Sequence, residues 1–410
     1  MTDGTPGGAG LLLPAGTRLV HIGPHKTGTT SLQTALFGAR AAMLDQGVRH
    51  VGRTRNPAAA VRAVTGQAAP TSAGKPPSML FWNDLVGEVR RAGESRVVVS
   101  SEFFSWATPE AIERIARDLD LARLHVVVTL RPLGRILPSQ WQQNVQAGMT
   151  LAYETWLGQV FGDKPGRSRD AFWQLHRHDH LIERWAAVLG TERLTAIVVD
   201  ETDHGMLLRV FEGLLGLRGG TLVAERDLSN RSLTLAEAEA VRAFNVAAKR
   251  AAVTNAVQAK AMRYGAAIHM KQREPAPDEA RIETPGWALD QARAVDEAMV
   301  PAIAATGIRV AGNLAALADP QPGRRGDEVA VEAVRVAPGV AAEMALGVLF
   351  ASGMARADGA SAATGPIWIE PLEVTRVSTW QLAAVIARRT QASAIRMVRG
   401  PRRRRTGPID

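Results

Sequence analysis

The chain of 410 residues has no cysteine. That excludes disulfides, thiolate nucleophiles and cysteine-ligated zinc, and it fits a reducing cytoplasm. No secretory signal is expected: the opening MTDGTPGGAGLLLPAG has neither a charged start nor a long apolar run. Nowhere does a stretch of about 20 apolar residues run uninterrupted, as a membrane span requires. The nearest approach, Val336–Gly353, carries Glu343 and many alanines and reads as a short soluble helix. A cytoplasmic location is therefore the expectation. Metal-binding patterns are absent as well. His176, His178 and His180 alternate around Asp179, and His21 stands far from them, but no HExxH or matched ligand cluster accompanies them. No metal is expected.

Net positive charge is scarce over most of the chain. The formal net charge is +9, yet Arg376 to Asp410 alone holds nine arginines and one aspartate. The remainder is close to neutral, so its bulk is not a nucleic-acid binder by charge. The arginine-rich tail offers contact only to an anionic membrane surface or an acidic partner.

What is present reads as one large globular domain with appendages: 46% of residues are hydrophobic and 22% charged, an ordinary balance. Residues 1–16 read as a flexible leader, 17–315 as the domain, and 316–410 as a low-complexity linker ending in a basic helix, Thr379–Val398, and the run Arg402–Arg405. Three short apolar runs, at Leu19–Ile22, Arg96–Ser100 and Leu124–Leu130, read as strands buried on both faces. Helical stretches separate them, which implies a parallel sheet with right-handed crossovers. Further strands are expected at Val48–Val51 and Leu194–Val199. Helices are expected at Leu80–Arg91, Pro109–Asp118, Gly134–Gln146, Tyr153–Val160, His180–Leu189, Met206–Leu215 and Thr234–Lys249. Residues 53–78 read as a surface loop with little order.

The stretch Arg18–Gln33, RLVHIGPHKTGTTSLQ, is the most informative. A strand, a glycine-bearing loop and a helix opening at Thr29–Thr30 leave backbone N–H groups pointing outward at a helix's positive end, a ready phosphate site. Lys26 adds a full charge. Thr27, Thr29 and Thr30 add hydroxyls, and Gly23 and Gly28 allow close approach of an anion. A Walker A loop, GxxxxGK[ST], places lysine after its second glycine. Here lysine comes first, as Lys26-Thr27-Gly28-Thr29-Thr30. The run Leu124–Leu130 also ends in Arg131, where a Walker B acid would stand.

The wording HIGPHKTGTTSLQ resembles the 5′-phosphosulfate loop of sulfotransferases that use 3′-phosphoadenosine 5′-phosphosulfate (PAPS), and within them the bacterial sulfotransferase-family proteins. TLRPLGRILPSQWQQ resembles the second motif of that superfamily, a strand ending in arginine followed by a helix bearing serine. By that resemblance Arg131 and Ser139 bind the 3′-phosphate, a role suited to a planar guanidinium and a hydroxyl. Arg135 is a further cation on the same turn. VVVSSEFFSW resembles the carbohydrate sulfotransferases, in which a glutamate before aromatics is the base, and this points to Glu102. A carboxylate just past a parallel strand also sits where open α/β sheets bind ligands. His25 is the rival base, or a phosphate contact.

The resemblance covers about residues 17–310. It implies a three-layer α/β sandwich around a parallel sheet, similar to the P-loop kinases. It further implies PAPS as co-substrate without a required metal, and a small-molecule or carbohydrate acceptor. The alternatives are an ATP-using P-loop small-molecule kinase and an inactive nucleotide-binding module of the same fold. Asn230-Arg231-Ser232-Leu233-Thr234 either caps a helix or helps to clamp the nucleotide. Trp141, Trp156, Trp173 and Trp185 are candidates for core or acceptor pocket.

Overall fold

A computed structural model describes residues 10–68, 74–224, 231–321, 323 and 336–353. The first nine residues of the expected leader, Asn230, the expected helix Thr379–Val398 and the run Arg402–Arg405 lie outside the described residues.

The chain opens with β1 (Arg18–His21), α1 (Thr29–Gly38), α2 (Arg40–Leu44), β2 (Val48–His50), α3 (Ala58–Thr65) and α4 (Met79–Arg91). Next come β3 (Arg96–Ser100), α5 (Pro109–Leu119), β4 (Leu124–Leu130) and α6 (Leu133–Gln146). The helices α7 (Tyr153–Phe161), α8 (Arg167–His176) and α9 (His178–Leu189) lead to β5 (Leu194–Val198) and α10 (Met206–Leu215). Then α11 (Leu235–Arg250), α12 (Asn255–Gln258), a π-helical stretch (Ala259–Ala266) and α13 (Ala267–Met270) precede α14 (Gly286–Ala305) and β6 (Arg309–Ala311). The last described helix is α15 (Pro338–Ser352).

The six strands form one parallel sheet in the order β2-β3-β1-β4-β5-β6. Strand alternation builds a core on each face. Val20, Val97, Val99, Val126 and Val128 pack with α4, α5, α6 and α9 on one side. Leu19, Val98, Val127 and Ile197 pack with α1 and α10 on the other. The result is the three-layer α/β sandwich expected. Four of its helices carry signals at their ends. Ser78 caps α4 and Thr108 caps α5, which begins with Pro109. Gly216 closes α10 in the left-handed conformation, and Thr234 and Glu237 make a reciprocal capping box on α11.

Topology fixes where a ligand can sit. The chain lays β2 and β3 to one side of β1, then crosses to place β4 on the other. The carboxyl ends of β3, β1 and β4 are therefore neighbours at the point where the winding reverses, which is where open α/β sheets bind ligands.

The stretch 53–78 differs from the sequence expectation. Part of 53–78 is helical: α3 buries Ala60, Val61 and Val64 and packs on α4 and on the turn after β3. Its run of alanines broken by two valines hides a short helix that burial, rather than length, stabilises. The short helix expected at Val336–Gly353 is present as α15, and it packs on the π-helical stretch. Small residues permit this approach, since a Cβ on Gly347 would lie 2.7 Å from the Cα of Ala266.

Candidate active site

Lys26, Glu102 and Arg131 follow β1, β3 and β4 in turn, so adjacent strands deliver them to one end of the sheet. The loop between β1 and α1 is held from below by a polar network that spans three strands. His21 Nδ1 lies 2.8 Å from Ser100 Oγ, and His21 Nε2 lies 3.2 Å from Thr129 Oγ1. Thr129 Oγ1 in turn lies 2.6 Å from Thr27 Oγ1, which donates to the Pro24 carbonyl at 2.7 Å. The Thr27 hydroxyl is thus turned inward and fully buried, leaving that residue only its N–H for a ligand. Thr29 is buried beside Gly23, whereas Thr30 and Gly28 are exposed.

Glycine is required at two points here. Gly23 has φ 79°. A Cβ on it would lie 3.1 Å from Cα and Cβ of Glu102. Gly28 stands before α1 at φ 85°, and no side chain caps that helix. The first N–H groups of α1 consequently meet no capping side chain, as anion binding demands. Lys26 itself adopts φ 70°, a left-handed conformation uncommon for a side-chain-bearing residue and concentrated at functional sites.

The Lys26 ammonium has no ion-pair partner among the described residues. Burial pushes its pKa down to about 8, and the nearby charges of Lys271, Arg263 and Arg131 push the same way against Glu102. A half-buried cation among cations is an electrostatic deficit that an anionic ligand would relieve.

Glu102 opens a 3₁₀ turn, Glu102–Trp106, that Ser101 caps. Its Oε2 accepts from Gln33 Nε2 at 3.0 Å and from Asn56 Nδ2 at 2.8 Å. Oε1 accepts from no described residue. Burial works to raise the carboxyl, but the charge of His25 and the Gln33 hydrogen bond hold it below the usual carboxylate range. His25 stacks edge-on against Phe103 at 5.4 Å, and Gln143 Nε2 donates to its Nδ1 at 3.2 Å. Burial pushes His25 down to about 4. At neutral pH the pair is therefore an ionised carboxylate beside a neutral imidazole. With Nδ1 accepting from Gln143, the imidazole proton sits on Nε2, so His25 faces the site as a donor.

Arg131 ties the second motif to the first. Its Nη1 donates to the Lys26 carbonyl at 3.0 Å, across 105 residues of sequence. Its Nε donates to Glu201 Oε1 at 2.6 Å, and Arg135 Nε lies 3.2 Å from Glu201 Oε2. Ser139 is one turn beyond Arg135 on α6, half-buried, with its hydroxyl bonded back to the Ile136 carbonyl at 3.0 Å. The structure thus gathers Lys26, His25, Glu102 and Arg131 in one place, with Arg135 and Ser139 on the adjoining helix.

Other sequence candidates have structural partners instead. Arg231 makes a two-pronged ion pair with Glu237, both contacts at 2.8 Å, and Leu233 N–H donates to Gln142 Oε1 at 2.9 Å. Residues 231–234 therefore anchor α11. Trp141, Trp156 and Trp185 are fully buried. His176 and His178 are buried too, and no group of three or more potential ligands for a metal ion occurs among the described residues.

Sequence reasoning missed Gln33, Asn56, Gln143, Glu201, Arg263 and Lys271. Two were within reach: Gln33 is four residues after Thr29 and Gln143 four after Ser139, so each shares a helical face with a motif residue. The others come from segments with no motif.

No protein-family model matches the chain, and neither does any curated protein. Among solved structures the chain is similar to a sulfotransferase from Alicyclobacillus acidocaldarius, at 17% identity and a TM-score of 0.38, over 58% of this chain and 95% of that one. No helix among the described residues is long and apolar enough to cross a membrane.

Proposed function

We propose that the chain is a sulfotransferase that takes a sulfuryl group from PAPS to a hydroxyl or amine of an acceptor. The observation that carries this reading is the hydrogen bond from Arg131 to the Lys26 carbonyl. It joins the two sequence regions that resemble the two PAPS-binding motifs.

The residues suit such a donor. The uncapped N-terminus of α1 and the unpaired Lys26 ammonium would hold the 5′-phosphosulfate. Arg131, with Arg135 and Ser139 beside it, would hold the 3′-phosphate. Bound PAPS supplies an activated sulfuryl group. Glu102 Oε1 takes the proton of the acceptor hydroxyl while the acceptor oxygen bonds to sulfur and the bond from sulfur to the bridging phosphate oxygen breaks. Gln33 and Asn56 fix the carboxylate through Oε2 and leave Oε1 to that task. Lys26 neutralises the charge that develops on the departing phosphate oxygen. Because Glu102 is held ionised, it is ready at neutral pH. His25, neutral with its proton on Nε2, donates to an oxygen of the substrate instead of acting as base.

Calorimetry with 3′-phosphoadenosine 5′-phosphate in the presence of chelator tests the reading, with ATP and magnesium as the second arm. Binding of the former without metal is the expected result. Heat only from ATP with magnesium would make the chain a P-loop kinase, and heat from neither would end both readings. Isotope-labelled PAPS incubated with a host metabolite extract then identifies the acceptor.

A further inference from the structure

His21 is the last residue of β1, where the anion loop begins, and both of its ring nitrogens are engaged. The side chain is wholly buried, and Phe211 meets the ring edge-on at 5.4 Å. Ser100 at the end of β3 and Thr129 on β4 are its partners, at 2.8 and 3.2 Å. Thr129 passes the connection to Thr27 at 2.6 Å, and Thr27 passes it to the Pro24 carbonyl at 2.7 Å.

Proton counting gives this chain a direction. Burial pushes His21 down to about 3, so the ring is neutral and holds one proton. With one proton from each of three hydroxyls, the four contacts have four protons to share. A carbonyl only accepts, so the Thr27 proton goes to Pro24. Thr129 must then donate to Thr27, and its oxygen is left to accept from His21 Nε2. Nδ1 therefore accepts from Ser100. The opposite tautomer leaves one of these contacts with no proton in it. The alternative acceptor for Thr129, the Gly23 carbonyl at 3.1 Å, already takes the Thr129 N–H at 2.8 Å.

We infer that His21 is a positioning residue for the anion loop: with its proton on Nε2, it directs a one-way chain from Ser100 through His21, Thr129 and Thr27 to Pro24 that ties the loop to β3 and β4 in its binding conformation. The chain acts through Thr27, the neighbour of Lys26, and so holds the lysine in its left-handed backbone at φ 70°. A loop fixed in advance spends less of its binding free energy on ordering. The inference rests on the reading of the loop as an anion site, and not on which nucleotide that loop takes.

Two measurements on the full chain test it. The first is long-range proton–nitrogen NMR on protein with isotope-labelled histidine, His21 being assigned by its loss in His21→Leu. At neutral pH it should show a protonated Nε2 and a bare Nδ1; a proton on Nδ1 overturns the proposal. The second is calorimetry with 3′-phosphoadenosine 5′-phosphate and with inorganic pyrophosphate, set beside melting temperatures. Thr129→Val suits a buried strand but takes the acceptor from His21 and the donor from Thr27. It should lower the melting temperature and weaken both ligands about three- to tenfold, the worth of one hydrogen bond. Adding His21→Leu removes the stranded imidazole N–H, and should recover part of the melting temperature but none of the affinity. Thr129→Ser keeps the hydroxyl and should restore binding. Wild-type affinity in Thr129→Val, or affinity that returns with the melting temperature in the double variant, would make His21 structural only. Should Thr129→Val fail to fold, the double variant and the tautomer decide. If the wild type binds pyrophosphate but not the nucleotide, the PAPS reading falls and the pyrophosphate series still decides this one; binding of neither ends both.

Discussion

Lys26→Met should make the unliganded protein more stable while removing its ability to bind the nucleotide. Lys26 is half-buried, has no ion-pair partner among the described residues and lies near Lys271, Arg263 and Arg131. Its pKa falls from an ordinary 10.5 to about 8. At 1.36 kcal/mol per pH unit, the charged form costs the folded state about 3 kcal/mol, as an order of magnitude. The sign follows from proton counts. Below pH 8 both folded and unfolded chains hold the proton, so the whole cost is present. Between about 8 and 10.5 the unfolded chain binds more protons, and stability rises with pH. Methionine removes the charge, fills the same space and keeps the left-handed backbone that lysine already tolerates. Denaturant unfolding at neutral pH should therefore give the variant an extra 1–3 kcal/mol or so, a gain that shrinks as pH rises toward 10.5. Titration with 3′-phosphoadenosine 5′-phosphate should stabilise the wild type and leave the variant unmoved. A structural lysine would behave in the opposite way. If Lys26→Met is less stable than the wild type, or still gains stability from the nucleotide, the electrostatic account of the loop is wrong.

Glu102→Gln should keep nucleotide affinity within a few-fold and lower the sulfation rate about 100- to 10,000-fold, because an amide cannot take the acceptor's proton; a steady-state assay with a near-normal rate would move the base elsewhere. In the wild type the acid limb of the rate profile should fall below the ordinary carboxylate range, since Glu102 is held ionised. Arg131→Ala should erase the preference for 3′-phosphorylated over unphosphorylated nucleotide, whereas Glu201→Gln, which releases that guanidinium from its carboxylate, should tighten binding. Competition calorimetry with the two nucleotides separates these outcomes, and an unchanged preference in Arg131→Ala would show the motif to be misassigned. Deleting residues 357–410 should leave nucleotide binding intact. Cutting after Ala316 removes the buried Leu317 and Val340 and should lower the melting temperature by several degrees, as differential scanning calorimetry would record.

The centre of the fold was legible because it obeys local rules. β1, β3 and β4 are short apolar runs buried on both faces, and nothing but a central parallel strand accounts for such runs between helices. The anion loop was legible because its glycines, lysine and threonines are contiguous. The periphery was less so. β6 has three residues at the sheet edge, and α14 buries a stripe of Ala288, Ala292, Asp296, Met299 and Ile303, too poor in large apolar side chains to stand out. The supports of the site were hidden for another reason. Asn56 reaches Glu102 from across 46 residues, and Arg263 and Lys271 act on Lys26 from the far end of the domain. Such contacts are properties of the fold rather than of any window of sequence.

That division bears on how the site works. The contiguous loop supplies what any phosphate binder needs: N–H groups, a cation and room. The distant residues decide what state those groups are in. His25 and Gln33 hold the Glu102 carboxyl low against the pull of burial, Asn56 shares its Oε2, and Gln143 donates to His25 Nδ1. Glu201 holds Arg131 and Arg135 in waiting. A ligand that brings one phosphate would meet only half of this arrangement. It would satisfy Lys26 or compete for Arg131, but not both. The proposed ligand, a nucleotide with phosphates at both its 3′ and 5′ positions, would meet Lys26 and compete with Glu201 for the arginines in one event. The hydrogen bond from Arg131 to the Lys26 carbonyl makes the two halves sense each other. On the proposed reading, discrimination for the doubly phosphorylated ligand would come from meeting Lys26 and Arg131 together.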